Sequence, residues 1–259
     1  MAQALNKTGK PIVYSCSWPA YLVDQPDKVN YAQIGQSCNL WRNFVPDIRA
    51  NWSYISDIID YYTDNQDKLI AANGPGHWND PDMIVVGDPG LTPDQARAQM
   101  TMWSIWSAPL IMSNDLRNID PTSKEILLNK RVISVDQDPL GIMGRLVLKG
   151  SLTNTYVKKM TPCNNALGIC SYAVAILNKS AKLPVTASLK FDNIGLTYQF
   201  GYNVLELWKG YDVGIRYPND TYNAVVPPTG VYFFKATPTI FGKENENTEK
   251  KLNEFKKIA

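Results

Sequence analysis

PIVYSCSWPAY at residues 11–21 and SCNLWRNFVPDI at residues 37–48 are the two segments around which the chain can be ordered. Ile12, Val13 and Tyr14 form a short apolar run that stops at Ser15. Such a run, bounded by small and turn residues, predicts a buried strand over 11–16. At its end stand Ser17, Trp18, Ala20 and Tyr21, and Trp41 and Arg42 follow downstream. Aromatic rings flanking a few fixed polar groups suit a sugar, which offers apolar C–H faces and a rim of hydroxyls. The same residues fit an aromatic-rich core edge equally well.

Outward from this stretch, the pattern predicts strands alternating with helices. A helix ends at residues 1–6, with Gly9 as its stop, and a short helix is expected over 30–37 and a brief strand over 40–44. Ile55, Ile58, Ile59 and Tyr62 fall at i, i+3, i+4 and i+7, predicting a helix over 51–65 capped by Asn51 or Ser53. A third strand is expected at 69–72, ahead of GPGHWNDPDM at 74–83. Thr92-Pro93-Asp94-Gln95 reads as a capping box with Pro at the first helical position, and Ala96, Met100 and Trp103 share one face of the helix it opens. A fourth strand at 109–112 and a fourth helix opened by Asp120-Pro121 complete four βα units, hence a parallel sheet. After Gly144 the period changes. Short alternating runs at 145–149, 155–159, 171–177, 185–190, 196–200, 203–208, 221–226 and 231–236 are separated by Gly, Asn and Pro, which predicts an antiparallel sandwich. The expected division is therefore 1–144, 145–241, and a tail over 242–259 rich in Lys, Glu and Asn, expected as disorder or a frayed helix.

Composition bounds the function classes. The 259 residues allow one large domain or two smaller ones, and 44% hydrophobic residues suffice for a substantial core. A net charge of +2 suggests neither nucleic acid nor an anionic membrane as partner. No apolar run reaches the roughly 18 residues of a membrane span, and MAQALNKTGK has no apolar leader region. Sequons at Asn6, Asn51, Asn178 and Asn219 support a secretory route. The four cysteines fall into two local pairs, Cys16 with Cys38 and Cys163 with Cys170, at separations that suit disulfides in an oxidising compartment. A zinc site is the rival, but neither pair has C-x-x-C spacing and His77 is the sole histidine.

SCSWPAY, WRNF, GPGHWNDPDM, APLIMSNDLR and DQDPLG, in this order and spacing, resemble the animal α-galactosidase and α-N-acetylgalactosaminidase family of melibiase-type retaining glycosidases. The likeness runs from residue 1 to 144 and continues more weakly to 238. It implies a (β/α)8 TIM barrel, of which 1–144 would supply strands five to eight, followed by an antiparallel β domain. Cys16 and Cys38 match a disulfide of the family, whereas the pairing of Cys163 with Cys170 rests on proximity. In the family the nucleophilic Asp sits in a K-[YF]-D-x-C motif ahead of an M-x-x-A-L-N segment. This chain carries no such motif, so the expectation is a fragment with half of the active site, inactive alone.

Retaining glycosidases use two carboxyl groups about 5–5.5 Å apart, one as nucleophile and one as acid/base. The resemblance assigns the acid/base to Asp47. The family pattern is W-R-N-[FY]-x-D-[IV]-x-x-x-W, and here W-R-N-F-V-P-D-I-R-A-N-W has one more residue, placed at Val45-Pro46. By the same resemblance Arg42 bonds sugar hydroxyls, Asp82 is a hydroxyl ligand and Met83 an apolar wall. The alternative for Arg42 is a structural salt bridge. From spacing alone Asp80 and Asp82 fit a metal pair or helix caps, and the lack of other clustered ligands argues against a metal. A lone His is more often a packed neighbour than a catalyst, and Asn114 and Asp115 are expected to hold the barrel mouth together. Ser17 and Ala20 look like the N-acetylgalactosaminidase version of the pocket, because small side chains leave room for an N-acetyl group and the Ser17 hydroxyl can bond its carbonyl. Trp18 and Tyr21 would line the same pocket; without the resemblance, Ser17 and Ala20 read as small residues packed at a strand end.

The resemblance implies a lysosomal or secreted exo-α-glycosidase that removes terminal α-linked N-acetylgalactosamine, and α-galactose too, from glycolipid, glycoprotein or oligosaccharide. It needs no cofactor, and family members often form homodimers. The alternatives are an α-galactosidase of the same family and a non-catalytic carbohydrate-binding remnant.

Overall fold

A computed structural model describes residues 1–242, so the expected tail lies almost entirely outside the described residues. The first half runs α1 (Ala2–Asn6), β1 (Ser15–Cys16), α2 (Tyr31–Gly35), β2 (Leu40–Arg42), α3 (Trp52–Asp64), α4 (Gln66–Ala72), β3 (Trp78–Asp80), α5 (Pro93–Ile105), α6 (Pro121–Leu127) and α7 (Lys130–Asp136). β1, β2 and β3 form one parallel sheet in that order, with Cys16 opposite Trp41 and Arg42 opposite Asp80. A parallel bridge between Ile84 and Met112 marks where the sheet direction continues.

The helices start where side chains replace missing backbone partners. Asn51 accepts from Ser53 N at the head of α3, and Ile55, Ile58, Ile59 and Tyr62 bury its apolar stripe. Thr92 and Gln95 complete the capping box of α5, and Asp120 caps α6.

In this half, three strand expectations need correction. Residues 69–72 are the end of helix α4, and the third strand is Trp78–Asp80 inside the GPGHWNDPDM motif. A short apolar run cannot separate helix from strand by period; here Leu69 alone is fully buried, as one face of a short helix requires. The first strand is confined to Ser15–Cys16, with Ile12 and Val13 exposed. Residues 109–112 contribute only the single bridge at Met112.

The second half comprises β4 (Arg145–Lys149), β5 (Thr153–Asn164), β6 (Ile169–Asn178), β7 (Val185–Lys190), β8 (Tyr202–Glu206), β9 (Asp212–Arg216), β10 (Thr221–Val226) and β11 (Val231–Pro238). Six strands pair in the order β4-β5-β6-β11-β8-β9, and β10 pairs with β7 in a second antiparallel sheet. Tyr222, Ala224 and Val226 alternate inward along β10, and Phe191 stacks on Phe234 between the sheets, centroids 5.7 Å apart. Residues 196–200 are irregular, ending in a turn at 199–200, instead of a strand, and Asp212–Arg216, absent from the sequence pattern, supplies the edge. Disulfides join Cys16 to Cys38 and Cys163 to Cys170. Among the four sequons, Asn178 is fully buried, its amide donating to Leu183 O at 2.9 Å and Val226 O at 3.1 Å, so it offers no acceptor for a glycan.

One apolar cluster joins Ile55, Trp103, Trp106 and Val135 of the helical half to Tyr156, Ala173 and Phe233 of the sandwich. Lys158 lies inside this joint with no solvent exposure. Its ammonium donates to Ser104 O at 2.9 Å, Ser107 Oγ at 2.6 Å and Val135 O at 2.5 Å. Two of these acceptors are carbonyls in the last turns of α5 and α7, where a cation meets the negative end of the helix dipole. Burial pushes Lys158 and its neighbour Asp136 towards their neutral forms, and their mutual attraction opposes that. Removing one member of such a buried set typically costs about 3–5 kcal/mol. Lys158→Met should therefore lower the unfolding free energy by about that amount. Lys158→Met with Asp136→Asn should lose less, because the Asp136 carboxylate is then not left without the cation; urea melts of the two variants check the order.

Candidate active site

β2 ends at Arg42 and β3 at Asp80, and parallel register brings these C-terminal ends side by side. In barrels of parallel strands this is the working face. Beneath it lies a buried polar network. Trp41 Nε1 donates to Asn79 Oδ1 at 2.9 Å, and Asn43 Nδ2 donates to Asn79 Oδ1 and to the Tyr31 hydroxyl, both at 3.1 Å. Tyr62 OH donates to Asn43 Oδ1 at 2.7 Å, and Asn79 Nδ2 to Leu69 O at 2.8 Å. Asn43, Asn79 and Tyr62 have no solvent exposure, so each polar atom must find its partner within the fold.

This network seats the loop after β3. Asp80 Oδ1 accepts from Asp82 N at 2.9 Å, which helps Asp82 hold a left-handed backbone conformation at φ 87°. Asp82 is 7% exposed. Its Oδ1 accepts from Met83 N at 2.8 Å, its Oδ2 accepts from Ile48 N at 2.7 Å and pairs with Arg42 Nη2, and its carbonyl accepts from Trp103 Nε1 at 2.8 Å. The buried carboxylate is thus supplied by two backbone donors and one guanidinium. Burial lifts the Asp80 carboxyl above the ordinary aspartate range, with the Asp82 backbone donor and Arg42 opposing that rise.

Arg42 reaches the other way to Asp47, Nη1 to Oδ1 at 3.4 Å, and to Pro46 O at 3.3 Å. The peptide between Val45 and Pro46 is cis. The Asp47 side chain is 95% exposed, against 14% for Arg42, so this second ion pair is screened by water and adds little stability. Asp47 is the carboxylate of the cluster presented to solvent, while Asp80 and Asp82 are engaged within the fold.

Arg42, Asp47 and Asp82, expected together, are brought together, with Met83 next to Asp82 in the chain. Ser17, Trp18, Ala20 and Tyr21 follow β1, the neighbour of β2, on a 3₁₀ turn at Trp18–Leu22. Ser17, Trp18 and Tyr21 are exposed there and Ala20 is buried; none hydrogen-bonds to the Arg42 cluster among the described residues. His77 packs near Trp41 with its Nε2 at 3.0 Å from Gly35 O, away from the cluster. The roles of Asn43, Asn79 and Trp103 went unread in the sequence. The Asn residues within WRN and WND were the available signal, since an Asn beside a strand's Trp has few ways to be satisfied except through another strand. Among the described residues no group of three or more His, Cys, Asp or Glu is arranged to hold a metal ion.

An arginine and three carboxyl groups gather at the C-terminal ends of parallel strands, with an antiparallel sandwich locked behind them. The family model described as Alpha galactosidase A matches residues 1–138, and that of the Alpha galactosidase C-terminal beta sandwich domain matches residues 167–236. The chain belongs to the α-galactosidase (melibiase) family. It is 40% identical over 239 residues to the α-N-acetylgalactosaminidase of Gallus gallus, covering 92% of this chain and 57% of that protein. It is 44% identical over 179 residues to human α-galactosidase A, covering 69% of this chain and 40% of that protein. The crystal structure of α-galactosidase I from Mortierella vinacea superposes with a TM-score of 0.78 at 25% identity, over 92% of this chain and 62% of that one. The chain thus spans 57% or less of the length of these two curated relatives.

Asp82→Ala should lower stability by about 3–5 kcal/mol, since it strands the Arg42 charge and places Ala in a left-handed conformation. Asp82→Asn should lose less, because Asn tolerates that conformation and its side-chain oxygen still accepts from a backbone N–H. Chemical denaturation of both variants measures the order, and equal losses would contradict it.

Proposed function

We propose that this chain carries the acid/base half of a retaining exo-α-glycosidase acting on terminal α-linked N-acetylgalactosamine, with α-galactose as a second substrate. The observation that carries the reading is Asp47, a solvent-facing carboxylate tethered by Arg42 at the C-terminal end of a parallel strand. Such a group can protonate a leaving glycosidic oxygen and then activate water. Arg42, Asp82 and Met83 are assigned to the sugar hydroxyls and ring face. Asp80 and Asp82 are committed to internal partners, so the nucleophilic carboxylate is assigned to a segment outside this chain, and the chain alone should turn over no glycoside. The catalytic part is assigned to 1–144 and the supporting sandwich to 145–241, in a lysosomal or secreted protein whose two disulfides suit that compartment.

The exposed Ser17 hydroxyl and the small Ala20 beside it are assigned to the acetamide at the sugar 2-position. The Gallus gallus relative, named for N-acetylgalactosaminidase activity, supports this choice over galactose alone.

The test joins residues 1–259 behind the N-terminal barrel half of the Gallus gallus enzyme. The hybrid should cleave α-N-acetylgalactosaminides, and Asp47→Asn should reduce kcat/KM on natural glycosides by about 10²–10⁴-fold. Substrates with very good leaving groups should lose less in the glycosylation step, because they need little protonation. A folded but inert hybrid would favour the non-catalytic carbohydrate-binding reading. In the active hybrid, Ser17→Glu with Ala20→Leu should shift preference from N-acetylgalactosaminides towards α-galactosides, and an unchanged ratio would remove both residues from the 2-position.

A further inference from the structure

A sizeable cavity lies away from the Arg42 cluster. It is a cleft of about 830 Å³ between the barrel helices α5, α6 and α7 and the sandwich strands β8, β10 and β11. None of its residues belongs to the catalytic cluster. Its walls combine two kinds of group. The first is a set of three carboxylates, Asp94, Glu125 and Glu206, and three cations, Arg97, Arg131 and Lys209. Several are already committed. Asp94 pairs with Arg97 at 3.1 Å, Glu206 accepts from Trp208 N at 3.0 Å and Lys209 N at 2.6 Å, and Arg131 Nε donates to Leu207 O at 2.8 Å. Equal numbers of each sign leave the cleft without a net charge to attract an ion.

The second kind is aromatic. Trp208, Tyr211, Tyr222 and Tyr232 line the same cleft. The Tyr211 and Tyr232 hydroxyls lie 2.9 Å apart, and the Tyr222 hydroxyl bonds to Tyr232 in turn, so three phenols form one chain. Arg216 braces this chain, its guanidinium 5.9 Å from the centre of the Tyr222 ring. Tyr211 is 46% exposed, leaving ring surface open to a ligand. A charge-balanced cleft with flat apolar rings and a row of hydroxyls matches a neutral, hydroxyl-rich molecule, and of common ligands a saccharide has that chemistry.

We propose that this cleft is a second saccharide-binding site, separate from the catalytic pocket, which holds a neutral sugar against Tyr211 and the tyrosine chain. It does not depend on the hydrolase reading. A non-catalytic chain would keep it.

The test uses ligand-observed NMR saturation transfer on the full chain with galactose, N-acetylgalactosamine and raffinose as probes, and inorganic phosphate and spermidine as charged controls. The background is Ser17→Trp, an exposed change that obstructs the proposed catalytic pocket. Sugar signals should persist in that background, with dissociation constants on the order of millimolar, as shallow sugar sites show. Tyr211→Ala, and independently the exposed Asn223→Trp, which fills the cleft, should each weaken binding at least about tenfold; neither replaces a core side chain. The proposal is overturned if no probe sugar binds in the Ser17→Trp background, if both cleft variants bind as the background does, or if a charged control binds more tightly than every sugar.

Discussion

Arg42 and Asp82 form the contact on which the site depends. A guanidinium and a carboxylate, both largely removed from water, are expensive to bury apart and acceptable together only with their remaining valences filled. Asp82 fills its own with Ile48 N and Met83 N, and its carbonyl is fixed by Trp103. One pair therefore ties together the loop after β2, the loop after β3 and the first long helix that follows. Asp47 can then be exposed, because the segment carrying it is held by Arg42 and by the Ile48 N–H.

A second buried charge does comparable work for the architecture. Lys158 comes from the sandwich but finds its acceptors at the ends of two barrel helices. Apolar contact would let the two halves slide, since dispersion and burial are indifferent to direction. An ammonium with three fixed acceptors admits one arrangement. Trp208 Nε1 to Thr101 Oγ1 at 3.1 Å and the Tyr156–Thr63 hydroxyl pair at 2.8 Å act in the same sense. The cleft between α5–α7 and the sandwich takes its shape from this docking.

Much of the helical half was legible because capping chemistry and period agree there. Thr92-Pro93-Asp94-Gln95 places a helix start to the residue, the cap of α3 was narrowed to Asn51 or Ser53 and is Asn51, and the Ile55–Tyr62 stripe assigns the buried face of α3. The parallel strands were harder. They are two or three residues long, too short for any period, and the apolar run at 69–72 fits helix or strand until tertiary contacts choose. Trp78–Asp80 was hidden for a related reason: a strand of Trp, Asn and Asp has low β propensity and exists because Leu40–Arg42 pairs with it. On the sandwich side, β7 and β10 were readable from strict alternation, whereas β9, with Gly214 in its middle, was not.

The amino-acid sequence by itself determined the family and the change from a helical half to an antiparallel sandwich, because ordered motifs and a change of period are properties of neighbouring residues along the chain. Tertiary structure alone decided which carboxylate is exposed. Asp47, Asp80 and Asp82 are chemically alike in the sequence, and only their partners distinguish them. Asp82 meets a guanidinium and two N–H groups, Asp80 is lifted by burial, and Asp47 faces water. Likewise, no local pattern foretold that Lys158 would be buried or that rings from the β8–β9 turn, β10 and β11 would share a cleft, since both follow from packing separate segments of the chain.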